Sequence, residues 1–97
     1  MTRAHVLAIL RDHREELARA FGVRSLALFG SVARDQATPA SDVDVLVEFD
    51  RPTGLFGLLR LQERLEKLLG RRVDVGTWGG LRAAVRAAIE AEVIDVG

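Results

Sequence analysis

Residues 41–49 read Ser41-Asp42-Val43-Asp44-Val45-Leu46-Val47-Glu48-Phe49. The stretch alternates at its start, and a period of two sends Asp42 and Asp44 to one face of a strand while Val43, Val45 and Val47 point to the other. A second strand is expected upstream at Ser25-Leu26-Ala27-Leu28-Phe29, running into the small residues Gly30-Ser31. A third is expected downstream, where Arg71-Arg72-Val73-Asp74-Val75 alternates again before Gly76 to Gly80 break the pattern.

Helical patterns lie between these strands. Val6, Leu10, Leu17 and Phe21 fall near helical spacing within residues 3–21, and Gly22 stands where such a helix would stop. Residues 54–69 carry so many apolar side chains, from Leu55 and Phe56 through Leu59 to Leu69, that burial on two sides is expected. A last helix is expected from about Leu81 to Glu92, with Leu81, Val85, Ala88 and Ile89 on one face, and Val93 to Val96 follow as a tail or short edge strand. The alternation of helices and strands predicts a small α/β (α+β) sandwich. Its mixed sheet has three to four strands, helices pack mainly on one face, and the chemistry sits on the other side or at the rim.

The 97 residues suit a single domain, residues 1–97, with one core. Hydrophobic residues make up 48% and charged residues 29%, which places the chain among globular proteins rather than disordered ones. Fourteen basic side chains balance fourteen acidic ones, so nucleic acid is not expected as the main partner. The absence of cysteine excludes disulfides and thiolate metal sites and suits a reducing compartment, so a cytoplasmic location is expected. No run approaches the roughly 20 apolar residues of a membrane span, and the charged start does not resemble a signal peptide.

Asp42, Asp44 and Asp74, with Gly30-Ser31 at a strand end, describe a metal-phosphate site. Magnesium prefers hard oxygen ligands and commonly takes one or two carboxylates plus substrate phosphate oxygens, which a same-face pair such as Asp42 and Asp44 offers. On a neighbouring strand Asp74 would lie about 5 Å away, close enough to share a second ion or to orient an attacking hydroxyl. Gly30 lets a backbone approach phosphate closely, the Ser31 hydroxyl can donate to it, and Arg34 offers a charge-assisted contact. Ser41, immediately before the carboxylate pair, joins them as a nucleotide-binding candidate.

The plain alternative is a solvated strand face. Two carboxylates about 4–5 Å apart repel by roughly 3–4 kcal/mol at an effective dielectric near 20, so a third one nearby argues for a counter-ion. An EF-hand fails because Leu46 and Val47 stand where ligands should continue, and a Walker A loop fails because the only lysine, Lys67, lies within a helix. His5 and His13 are eight residues apart on the first helix and read as structural. Trp78, between a threonine and two glycines, could stack on a base or serve a core, and Arg71 and Arg72 could neutralise the carboxylates or stand exposed.

Gly30-Ser31-Val32-Ala33-Arg34 followed by Ser41-Asp42-Val43-Asp44-Val45-Leu46-Val47-Glu48-Phe49 resembles the polymerase-beta-type nucleotidyltransferase superfamily. Thr53-Gly54-Leu55-Phe56, Gly70-Arg71-Arg72-Val73-Asp74 and the final helix extend the likeness to the minimal nucleotidyltransferase (MNT) proteins over nearly the whole chain. The resemblance implies magnesium, or manganese, and ATP, with Asp42, Asp44 and Asp74 as the carboxylate triad and Gly30-Ser31 on the triphosphate. It also implies a HEPN ribonuclease toxin as partner, neutralised in some systems by AMP transfer to a toxin tyrosine. The chain departs from the pattern at Asp35 and Gln36, where many relatives have a glycine and an acidic residue, and at Gly76-Thr77-Trp78.

Two functions compete, and a third is weaker. The first is a nucleotidyltransferase moving AMP to a hydroxyl of a partner protein, since no separate acceptor-holding unit is evident. The second is a non-catalytic antitoxin module that covers a toxin, motivated by the leucine-rich helix at 54–69. The third is a small-molecule nucleotidyltransferase completed by homo-oligomerisation.

Overall fold

The computed structural model describes residues 2–96. The elements run α1 (Arg3–Asp12), α2 (Arg14–Phe21), β1 (Val23–Phe29), α3 (Gly30–Ala33), β2 (Val43–Phe49), α4 (Leu55–Leu69), β3 (Val73–Thr77), a 3-10 turn (Trp78–Gly80), α5 (Ala83–Glu90) and β4 (Ile94–Asp95). The sheet order is β3-β2-β1-β4. β1 pairs antiparallel with β2 and β4, whereas β2 and β3 are parallel, so the sheet is mixed as expected.

The alternation at 43–47 sets the layers. Val43, Val45 and Val47 are fully buried together with Leu26 and Leu28 of β1, under Val6 and Leu10 of α1, Leu17 of α2, and Leu61, Leu65 and Leu69 of α4. Residues paired across a rung share a face, so Ser25 and Glu48, Ala27 and Leu46, and Phe29 and Asp44 lie on the opposite side. α5 lies over that second side: its Arg86 and Glu90 share a cavity of about 410 Å³ with Ser25 and Glu48. The helices are therefore mainly, not solely, on one face.

Several elements differ from the sequence reading. The first helix is broken at His13, whose backbone leaves helical geometry (φ −105°, ψ 9°) while its ring Nδ1 lies 2.9 Å from the Ile9 carbonyl oxygen. Each half then delivers its own apolar residues to one core. β3 continues through Gly76 and Thr77, because parallel pairing with Leu46 and Val47 overrides the weak strand preference of glycine. α5 spans only eight residues, leaves Leu81 outside and Val85 exposed, and buries Ile89 alone, so the expected apolar face is not a core face.

The largest correction concerns α4. Leu61, Leu65 and Leu69 face the core, but Leu55, Phe56 and Leu59 are 66%, 76% and 47% exposed, so the helix is buried on one side only. Its second apolar stripe begins at the N-terminal turns, where Phe56 lines a cavity shared with Ala20 and Phe21 of α2. A bidentate pair from Arg64 to Glu16 (2.7 and 2.9 Å) joins α4 to α2 along the boundary between the two stripes. No helix among the described residues is long and apolar enough to cross a membrane.

This one-sided burial predicts unequal costs along α4. Leu65→Ala should lower unfolding free energy by about 2–5 kcal/mol, because it leaves a cavity in a packed layer. Leu59→Ala should stay within about 0.5 kcal/mol. Urea unfolding of the two variants measures both, and equal losses would contradict the packing described.

Candidate functional site

The parallel register of β2 and β3 pairs Asp44 directly with Asp74. On its other side Asp44 is opposite Phe29, the residue before Gly30. Asp42 lies one step outside the ladder, whose first bond runs from the Val43 N–H to the Arg72 carbonyl at 2.9 Å. Asp44 is half-buried, and Asp42 and Asp74 are exposed.

Gly30 is required here for two independent reasons. Its φ of +73° lies in the left-handed region that side chains rarely adopt. A Cβ would also fall 3.1 Å from the Asp44 Cγ and collide with the carboxylate. Sequence reasoning assigned this glycine to close approach of phosphate; the group that approaches it in the structure is the Asp44 carboxylate. Ser31 follows in the first turn of α3, half-buried, next to that carboxylate's neighbour.

Burial pushes the Asp44 carboxyl above the ordinary aspartate value, the negative charges of Asp74 and Asp42 push it further, and Arg34 pulls the other way. The carboxylates of Asp74 and Asp42 thus lie near enough to act on Asp44. Among the described residues no three acidic or histidine side chains close around one point tightly enough to enclose a cation alone. A cation held by these carboxylates would need further ligands from outside the chain. Their hard oxygen donors and mutual repulsion fit magnesium, which ordinarily takes one or two carboxylates and completes its shell with phosphate oxygens and water.

Two of the expected nucleotide contacts are otherwise engaged. Arg34 donates through Nη1 to both carboxylate oxygens of Glu92 at 3.1 Å and through Nε to the Gln36 side-chain oxygen at 3.2 Å. The pair is roughly half exposed, which makes it weak enough to exchange partners. The Ser41 hydroxyl accepts from the Thr38 N–H at 3.0 Å and closes a turn. Glu92 escaped the sequence reading because nothing in the pattern of the last helix distinguishes it from other exposed acids.

The departures from the family pattern also find places. Asp35 sits at φ 58°, just past the end of α3, in the left-handed region that Asp adopts more readily than most side chains. Its carboxylate accepts from the Arg3 N–H at 3.1 Å, so the substitution ties α1 to the loop. Trp78 is partly buried, with the Arg86 guanidinium carbon 5.5 Å from its ring centroid, a cation–π arrangement. A cavity of about 380 Å³ lined by Phe21, Arg51, Phe56 and Arg60 lies past the far end of β2, away from the carboxylates.

Comparison with known proteins identifies the family and the fold. The family model of the nucleotidyltransferase domain matches residues 10–96. The protein adenylyltransferase MntA of Thermococcus cleftensis is 38% identical over 96 residues, covering 99% of this chain and 97% of its own. A solved structure of a candidate minimal nucleotidyltransferase superposes with a TM-score of 0.81 at 36% identity, covering 97% of this chain and 95% of that one. A chain from the complex of tri-AMPylated Shewanella oneidensis HEPN toxin with MNT antitoxin superposes with a TM-score of 0.67. There the coverage is 94% of this chain and 71% of that one, and at 15% identity the likeness concerns the fold alone.

The electrostatics predict a trade between stability and the site. Because the folded-state pKa of Asp44 is raised, its contribution to stability is fully present below the ordinary aspartate pKa, about 3.9, and is lost as pH rises through the folded value. Asp44→Asn should therefore raise the melting temperature at neutral pH by a few degrees. The difference from the unsubstituted protein should vanish in acid below about pH 3.9, where Asp44 is protonated in both states. Thermal melts across pH check this, and a variant less stable at neutral pH would contradict it.

Proposed function

The chain belongs to the nucleotidyltransferase domain family and is a transferase of the protein adenylyltransferase type, and from that premise we propose that it moves AMP from ATP to a hydroxyl of a HEPN-type toxin, as that toxin's antitoxin. Support comes from the MntA relative and from the fold shared with the complex of an AMPylated HEPN toxin and its MNT antitoxin. The observation that carries the reading is the register pair of Asp44 and Asp74 against the glycine turn at Gly30.

Asp42, Asp44 and Asp74 would hold the divalent ions of a two-metal mechanism, magnesium or manganese. When bound, these ions neutralise the triphosphate and lower the pKa of the attacking hydroxyl. The turn at Gly30 and Ser31 donates to the phosphate oxygens and fixes the α-phosphorus. Asp74, exposed on the outer strand of the sheet, faces the acceptor and takes its proton. The acceptor oxygen bonds to the α-phosphorus as the bond to the β-phosphate oxygen breaks and pyrophosphate leaves. Arg34, paired with Glu92 through Nη1, would add a charge-assisted contact to the triphosphate.

A second reading has an observation of its own. The exposed Leu55, Phe56 and Leu59 offer an apolar ridge through which the protein could silence a toxin by covering it, without chemistry. One experiment separates the two: α-labelled ATP, magnesium and a HEPN-type toxin incubated with the protein or with its Asp42→Asn/Asp44→Asn form. The label should appear on the toxin and fall to background with the double variant, which should still form the complex but fail to neutralise. This chain contains no tyrosine, so label on tyrosine must lie on the partner. Neutralisation that survives the double substitution would favour covering, and absence of label under every condition would contradict the transferase reading for this partner.

A further inference from the structure

We propose that Arg71 is a positioning residue that fixes Asp42 in place beside the Asp44 and Asp74 pair, an inference that rests on the site reading above. One guanidinium nitrogen of Arg71, Nη2, donates to the backbone carbonyls of Thr38, Pro39 and Ser41 at 2.7, 2.8 and 3.1 Å. That nitrogen carries two hydrogens for three acceptors, so the bonds are shared. Three carbonyl dipoles converge there only because a cation holds them. Through that nitrogen the guanidinium is tied to the loop, and no ion pair joins it to a carboxylate among the described residues.

The loop it gathers leads directly into Asp42. Within it the Ser41 N–H donates to the Thr38 carbonyl at 3.0 Å, and the Ser41 hydroxyl accepts from the Thr38 N–H at 3.0 Å. Just past Asp42, the Val43 N–H donates to the Arg72 carbonyl at 2.9 Å. The backbone of Asp42 is thus pinned on both sides by consecutive residues, Arg71 and Arg72. That corner is anchored in turn on α4: the Gly70 N–H donates to the Glu66 carbonyl at 2.8 Å, and the Glu66 carboxylate accepts from the Val73 N–H at 3.1 Å.

Asp44 and Asp74 are held by the strand ladder itself, whereas Asp42 lies outside it and depends on the clamp. Loss of Arg71 should free Asp42 and leave the other two in register. Partners behind a metal ligand ordinarily change affinity by about 10–100-fold when removed.

The test compares Arg71→Ala and Arg71→Lys with the unsubstituted protein in calorimetric binding of magnesium-ATP and in amide hydrogen exchange. Arg71→Ala should weaken binding about tenfold or more and speed exchange across residues 38–43, with protection of the β2 and β3 ladder beyond Asp44 unchanged. Arg71→Lys places one ammonium with three donors at the same point and should restore most of both. If the alanine variant fails to fold, Arg71→Gln, which lacks the charge and the reach, gives the same comparison. Unaltered binding or unaltered exchange in Arg71→Ala would overturn the clamp while leaving the site reading intact. An unsubstituted protein that takes up no magnesium-ATP would overturn the site reading and the clamp's purpose together.

Discussion

Parallel pairing of β2 and β3 forces two like charges, Asp44 and Asp74, onto adjacent positions of one sheet face. Separated carboxylates would drift apart, but residues locked in a ladder cannot. Parallel neighbours need a crossover, and α4 supplies it, carrying the chain over the face that holds the core. The same alternation that buries Val43, Val45 and Val47 beneath α1, α2 and α4 therefore obliges Asp42 and Asp44 to point the other way. Core and site are two faces of one periodicity.

The cost of that arrangement falls on the chain without a cation. Asp44 is half-buried against Gly30 and faces two negative neighbours, with Arg34 as the opposing charge and Arg34 itself shared with Glu92. Such a site is destabilising until something positive enters it, which is the usual relation between a preorganised centre and the stability of its fold. Glycine at position 30 is the geometric condition of the arrangement, since any side chain would displace the carboxylate. The neighbouring turn and the Arg71 corner then decide how firmly the remaining carboxylate is presented.

Much of this was legible in the sequence because it follows from period two and from punctuation. The strand at 43–49, the helix stop at Gly70 and the neighbouring of Asp44 and Asp74 rest on local patterns, whereas residues 93–96 read equally as a tail or a short edge strand. What was not legible depends on contacts between distant residues. Sequence could not show that Leu55, Phe56 and Leu59 stay exposed, nor that Arg34 meets Glu92 fifty-eight positions away. Nor could it show that the Ser41 hydroxyl, beside Asp42, also closes a turn with the Thr38 N–H. His13 broke the first helix through a ring contact to its own carbonyl neighbour, which helical periodicity does not register.

Paramagnetic broadening of amide signals by manganese in the presence of ATP tests the shared-cation site most directly. Amides of Gly30, Ser31, Asp44 and Asp74 should disappear first, those of Asp42 with them, while the exposed stripe of α4 stays sharp. Broadening centred instead on the other acidic surface, around Glu48, Glu90 and Asp95, or spread without a centre, would contradict the account.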